Sequence, residues 1–168
     1  MQIPADRIDR VREQWASERP DVDTSSMDVV GRILRVEHLA DGRIRRTLRD
    51  AGLDRGGFDV LATLRRSGRP YRLSPTQLYE ELVLTSGAMT HRIDALTRAG
   101  FVERIADESD RRSLLVGLTA QGTSTIERAL DAHLQCEQEL IAGLSATERE
   151  RLAGLLRKLL HGIEGPHE

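Results

Sequence analysis

The stretch from Leu73 to Leu118, LSPTQLYEELVLTSGAMTHRIDALTRAGFVERIADESDRRSLLVGL, limits what this chain can fold into more than any other. Leu78 and Leu82 lie four residues apart. Met89, Ile93 and Leu96 follow at four and three, which is helical spacing in both cases. The first helix carries its own start signal. Ser74 is the N-cap, Pro75 takes the first helical position, and Gln77 completes a capping box. Thr85 or Ser86 stands where it can cap the second helix. Gly100 suits the left-handed residue that ends it. Phe101-Val102-Glu103-Arg104-Ile105 and Leu114-Leu115-Val116-Gly117-Leu118 then read as strands, and the run between them, Ala106 to Ser113, is almost wholly charged or small.

The flanks are helical. Residues 5–17 place Ile8, Val11 and Trp15 on one face, with Asp6 near the start. Residues 19–24 break the pattern. A long helix over about 26–50 carries Val30, Ile33, Leu34, Ile44 and Leu48, and Gly52 ends it. Asp54 can cap the next helix, with Phe58, Leu61 and Leu64 facing inward. A turn over 67–70 leads to a short strand at 71–73, placed to pair with the hairpin. Thr119 opens a helix to about residue 142 with Ile126, Leu130, Leu134, Leu140 and Ile141 on its apolar side. Ser145 and Glu148 form a second capping box. Leu152, Leu155, Leu156, Leu159 and Leu160 continue the last helix.

Helix, turn, helix and hairpin in that order predict a winged helix-turn-helix within a mainly α fold with a small β-hairpin wing. Its second helix would enter a DNA major groove and the hairpin tip a neighbouring minor groove. Three segments follow: N-terminal helices contributing to dimerisation over 1–50, the winged DNA-binding domain over 51–118, and C-terminal dimerisation helices over 119–168. The ends of the chain carry more apolar stripe than so small a winged core can cover, which suggests a dimer. The alternative is that these helices wrap the monomer's own core.

The central segment resembles the MarR family of transcriptional regulators. The residues that carry the resemblance are Leu84-Thr85-Ser86-Gly87-Ala88-Met89-Thr90-His91-Arg92-Ile93-Asp94-Ala95-Leu96, Ala99-Gly100-Phe101-Val102-Glu103-Arg104 and Asp110-Arg111-Arg112-Ser113, closed by Leu118-Thr119 and Gly122. The resemblance implies a homodimer on double-stranded DNA with a palindromic operator, its half-sites about 10 base pairs apart.

On the second helix, Ser86, Gly87, Thr90, His91, Asp94 and Arg98 fall largely off the Met89–Ile93–Leu96 stripe. Ser86, Gly87, Thr90, His91 and Arg98 are the DNA-contact candidates there. Gly87 lets backbone approach closely. Arg111 and Arg112 at the hairpin tip suit a narrow, electronegative minor groove, with Asp110 orienting one of them. Bulk charge gives no lead, since the net charge is −2. From Thr85 to Arg112, five arginines (Arg92, Arg98, Arg104, Arg111, Arg112) meet five acids (Asp94, Glu103, Asp107, Glu108, Asp110). A DNA reader with that balance has to keep its acids away from phosphate.

A helix carrying Trp15 precedes the usual first helix, which resembles the urate-responsive subgroup of the family. By that resemblance Trp15, Asp59 and Arg92 match ligand contacts. The histidine of the set falls at Glu37, so its neighbour His38 is the fourth candidate. An indole gives a flat wall and an N–H donor, and Arg pairs with an anionic heterocycle. The expected effector is a small aromatic anion of urate or phenolic type. If Asp59 pairs with Arg92 in the unliganded protein, an anion competing for Arg92 pulls on the recognition helix. The plainer reading makes Trp15 a packing residue and Asp59–Arg92 structural.

Two rivals remain. One is a redox-responsive regulator using Cys136, one turn from His133. The other is a helical protein–protein interaction module. A single cysteine excludes an internal disulfide framework, and no phosphate-binding glycine motif or metalloprotease signature occurs. No catalytic residue, metal site or cofactor is expected. The charged start of the chain and the lack of long apolar runs point to a cytoplasmic protein without a membrane span.

Overall fold

The structure is a computed structural model that describes residues 4–82, 89–106 and 114–165. The candidates Ser86, Gly87, Arg111 and Arg112, and the proposed cap at Thr85 or Ser86, lie outside the described residues. The elements run α1 (Arg7–Glu18), α2 (Met27–Asp50), α3 (Arg55–Arg66), β1 (Arg72–Leu73), α4 (Pro75–Glu81), α5 (Met89–Arg98), β2 (Val102–Ala106), β3 (Leu114–Leu118), α6 (Ala120–Leu140) and α7 (Ala146–Glu164). The chain forms two compact units, Met1–Ile44 and Arg45–Glu168, divided inside α2.

Among the described residues, the caps read from the sequence are made. Ser74 accepts from the Gln77 N–H at 3.1 Å and its own N–H donates to the Gln77 side chain at 2.9 Å. Ser145 and Glu148 repeat the arrangement at α7. Asp54 accepts from the Gly57 N–H at 2.6 Å and starts α3. At α1 the box is Asp6 with Asp9, whereas the sequence reading named Asp6 alone. Each cap satisfies amides that the first turn leaves without helical partners.

In the larger unit, α3 is the central helix and packs on α4, α5, α6 and β3. Phe58, Val60, Leu61 and Leu64 of α3 are buried with Leu78, Ile93, Leu96, Val102, Val116, Ile126 and Ala129. The sheet order is β1-β3-β2, antiparallel throughout. Leu73 pairs with Val116, and Arg104 pairs with Val116 from the other side. The short strand expected next to the hairpin is therefore β1.

One joint fixes α5 to α6. Gly100, at φ +76°, turns the chain out of α5, and the Phe101 N–H closes back on the Leu96 carbonyl at 2.9 Å. This is the left-handed helix ending that favours glycine. Thr119 then caps α6 and grips that ending. Its N–H donates to the Phe101 carbonyl at 3.1 Å, its hydroxyl donates to the Gly100 carbonyl at 2.7 Å, and the same oxygen accepts from the Gly122 N–H at 2.9 Å. Gly122 is buried, and a Cβ there would overlap the Phe101 carbonyl oxygen. The Leu-Thr-x-x-Gly pattern is thus a close backbone crossing.

The substitution Gly122→Ala should force this crossing apart. The cost expected for overpacking is about 1–3 kcal/mol, which lowers the thermal midpoint by about 2–4 °C per kcal/mol for a chain of this size. An unchanged midpoint in a thermal melt would show that the crossing yields without strain.

Candidate nucleic-acid interface and ligand-contact residues

Helix α5 buries Ile93 and Leu96 against the core. Successive residues turn by about 100°, so the polar residues between them face elsewhere. Thr90, His91 and Arg98 are all exposed, as a reading surface requires. His91, Asp94, Thr97 and Arg98 of α5 line a concavity of about 410 Å³ together with Arg104 of β2.

Arg104 was not among the candidates, yet it answers the charge problem posed by the sequence. Its Nη2 donates to Asp94 Oδ1 at 2.6 Å. The one acid within α5 is thus paired with a cation from the adjacent strand. Both side chains are partly exposed, where such a pair contributes little stability. Its effect is electrostatic and positional: it tempers a negative charge on α5 and ties that helix to β2. No periodicity announces the pair, because its members come from different elements.

Arg92 reaches the first turn of α3, near enough for its charge to act on Asp59. Arg92 lies against Gly56, where a Cβ would collide with its guanidinium. Gly56 and Asp59 are three apart and share one face of α3. The two side chains do not form the expected ion pair, in that no hydrogen bond or ion pair among the described residues joins them. The Asp59 carboxyl is pushed above its ordinary value by burial, and the charges of Arg55, Arg92 and His133 only partly oppose this. His133 comes from α6. Its ring sits 4.8 Å from that of Phe58, and its Nε2 lies 3.1 Å from Glu137 Oε1. Its Nδ1 is buried without a partner. The sequence reading weighed His133 only beside Cys136, which is buried.

Trp15 and His38 belong to the smaller unit. Trp15 sits on α1 with 45% of its surface exposed, and His38 on α2 is exposed. Among the described residues, no cluster of three His, Cys, Asp or Glu side chains could hold a metal ion. No helix among them is long and apolar enough to cross a membrane.

The profile of the MarR family matches residues 53–114. The chain is 36% identical over 152 residues to the HTH-type transcriptional regulator PecS of Dickeya dadantii (strain 3937), covering 90% of this chain and 92% of PecS. The fold is similar to Sco3205, a MarR family transcriptional regulator from Streptomyces coelicolor solved in complex with DNA. There the TM-score is 0.72 at 25% identity, over 86% of this chain and 95% of that one. It is also similar to Bordetella bronchiseptica BpsR, from a study of how 6-hydroxynicotinic acid regulates its DNA binding. That match has a TM-score of 0.70 at 26% identity, over 82% of this chain and 97% of BpsR.

Burial of Asp59 makes its contribution to stability depend on pH. An acid whose value is raised on folding binds its proton more tightly in the native state, so its contribution falls as pH rises from the ordinary 3.8 through the raised value. Asp59→Asn removes that fall. The variant should melt no lower than wild type at pH 7, and its advantage should shrink as pH is lowered towards 3.8. A clearly lower midpoint at pH 7 would mean that the carboxylate makes net stabilising bonds.

Proposed function

Because the chain belongs to the MarR family of transcriptional regulators, we propose that it acts as a homodimeric repressor on a palindromic operator and is released by a small aromatic anion. Its relatives are named as regulators, so the chain is a DNA-binding regulator and not an enzyme. The observation that carries the DNA reading is the division of α5. Ile93 and Leu96 are buried, while Thr90, His91 and Arg98 stay exposed, with Asp94 paired to Arg104. Thr90, His91 and Arg98 then join Ser86 and Gly87 at the major groove, and Arg111 and Arg112 take the minor groove.

The uncovered face of α7 supports the dimer. Leu155, Leu160 and Ile163 are 59%, 54% and 73% exposed, and the whole helix buries no residue within the protomer. Leu134 of α6 and Ile141 at its C-cap are exposed too. Apolar stripes of this extent mark an interaction surface. A second copy is the occupant that suits a two-fold operator.

The effector reading takes Arg92, Asp59, Trp15 and His38 as contacts. Arg92 is the strongest of them. It stands on the recognition helix and also lies over the first turn of α3, so an anion that draws its guanidinium away acts on both elements. The regulation of BpsR by 6-hydroxynicotinic acid supports an aromatic acid as the chemical class. Urate is the purine alternative.

The test is a gel-shift with DNA flanking the chain's own gene, with and without urate and 6-hydroxynicotinate. Wild type should bind at low salt, with affinity falling log-linearly as salt rises through counterion release. One of the two ligands should release it. Arg92→Ala should still bind DNA but ignore the ligand. Release of the variant at wild-type ligand concentrations would reject Arg92 as the contact, and failure of wild type to bind the DNA at low salt would reject the operator reading.

A further inference from the structure

We propose that α1 is a charge-latched arm, docked on α2 chiefly through the guanidinium of Arg32 and released from it when those charges are screened or removed. Most surface helices are held by an apolar face. Helix α1 buries no residue. Ile8, which lies against Gly31 of α2, and Val11 on the same face are only partly buried.

Charged side chains bridge the two helices as well. Arg32 Nε donates to Asp6 Oδ2 at 2.8 Å and Nη2 donates to Asp9 Oδ1 at 2.6 Å, both on the N-terminal side of α1. Its Nη1 donates to Asp28 Oδ1 at 2.9 Å and to the Asp28 carbonyl at 3.1 Å, one turn back on α2. Arg12 adds a bond of 2.5 Å from its Nη1 to Asp28 Oδ2. Its Nε is buried without a partner, which offsets part of that gain. Arg32 therefore does most of the holding. Its planar fork satisfies three carboxylates at once, which an ammonium cannot do in the same geometry.

The division of labour among oxygens makes α1 separable. Asp6 uses Oδ1 to accept from the N–H groups of Ile8 and Asp9 and gives Oδ2 to Arg32. Asp9 accepts from the Asp6 N–H with Oδ2 and gives Oδ1 to Arg32. One oxygen of each builds the helix cap and the other holds the latch. Cutting the latch leaves the cap in place, so the arm departs with its helical start intact. The four side chains are about a third to a half exposed, where salt screens effectively. The Debye length shrinks from about 10 Å at 0.1 M to about 3 Å at 1 M. These contacts lie wholly within α1 and α2 and hold whether or not an effector uses Trp15.

Trp15 rides on the arm and is the only tryptophan of the chain. Fluorescence anisotropy of the full-length protein therefore reports docking directly. Between about 0.05 M and about 1 M NaCl, the wild-type anisotropy should fall reversibly, with at most the helicity of α1 lost by circular dichroism. Arg32→Ala should start at the low plateau and show no salt step, and Arg32→Lys should lie between. If Arg32→Ala does not yield folded protein, Asp28→Asn, which leaves the α1 cap untouched, should lower the salt at which the step occurs. Wild-type anisotropy in both variants, or a flat salt trace for wild type, would overturn the latch and assign docking to Ile8 and its neighbours.

Discussion

The end of α5, the proposed recognition helix, and the start of α6 share a single set of hydrogen bonds, and the orientation of α5 depends on it. Thr119 bonds two carbonyls at the end of α5 while its side chain starts α6, and Gly122 lets the two backbones meet. A shift of α6 cannot be absorbed there by side-chain adjustment, because the contact is backbone against backbone. In the proposed dimer, a change in how α6 and α7 pair with a partner would reach α5 through this joint.

Around that joint, polar residues are managed by pairing. The chain carries a small net negative charge, so DNA binding has to come from local placement. Asp94 is bonded to Arg104. Arg92 is folded over Gly56, near the half-buried Asp59. In the smaller unit, Arg32 gathers three carboxylates. Arg104 and Arg32 each link two elements as well as balancing charge, which is what a forked donor does better than lysine. The near-exclusive use of arginine among the basic residues fits this pattern.

Much of the fold was legible because its signals are local. Capping boxes at Ser74 and Ser145, the Asp54 cap and the left-handed Gly100 each depend on residues within a few positions, so the sequence placed those helix ends correctly. The two hairpin strands were legible as apolar runs, while their register appears only in the structure. The site was legible only in part. Thr90, His91 and Arg98 could be assigned to the exposed face by helical period alone, and they are exposed. Arg104, His133 and Gly56 could not. Their roles arise where β2 meets α5, α6 meets α3, and α5 meets the first turn of α3. The Leu118-Thr119-x-x-Gly122 pattern was visible as a pattern, but its reason, a carbonyl where a Cβ would stand, appears only in three dimensions. The expected Asp59–Arg92 bond shows the opposite failure. The two residues are brought together, but Arg92 turns onto glycine and leaves the carboxylate partly desolvated.

The reading of two protomers presenting α5 to one duplex is tested most directly by hydroxyl-radical footprinting of the operator complex, with its stoichiometry measured by light scattering on the same sample. Two chains per duplex should protect two patches on one face of the DNA, about 10 base pairs apart. One chain per duplex, or a single continuous patch without two-fold symmetry, would contradict it.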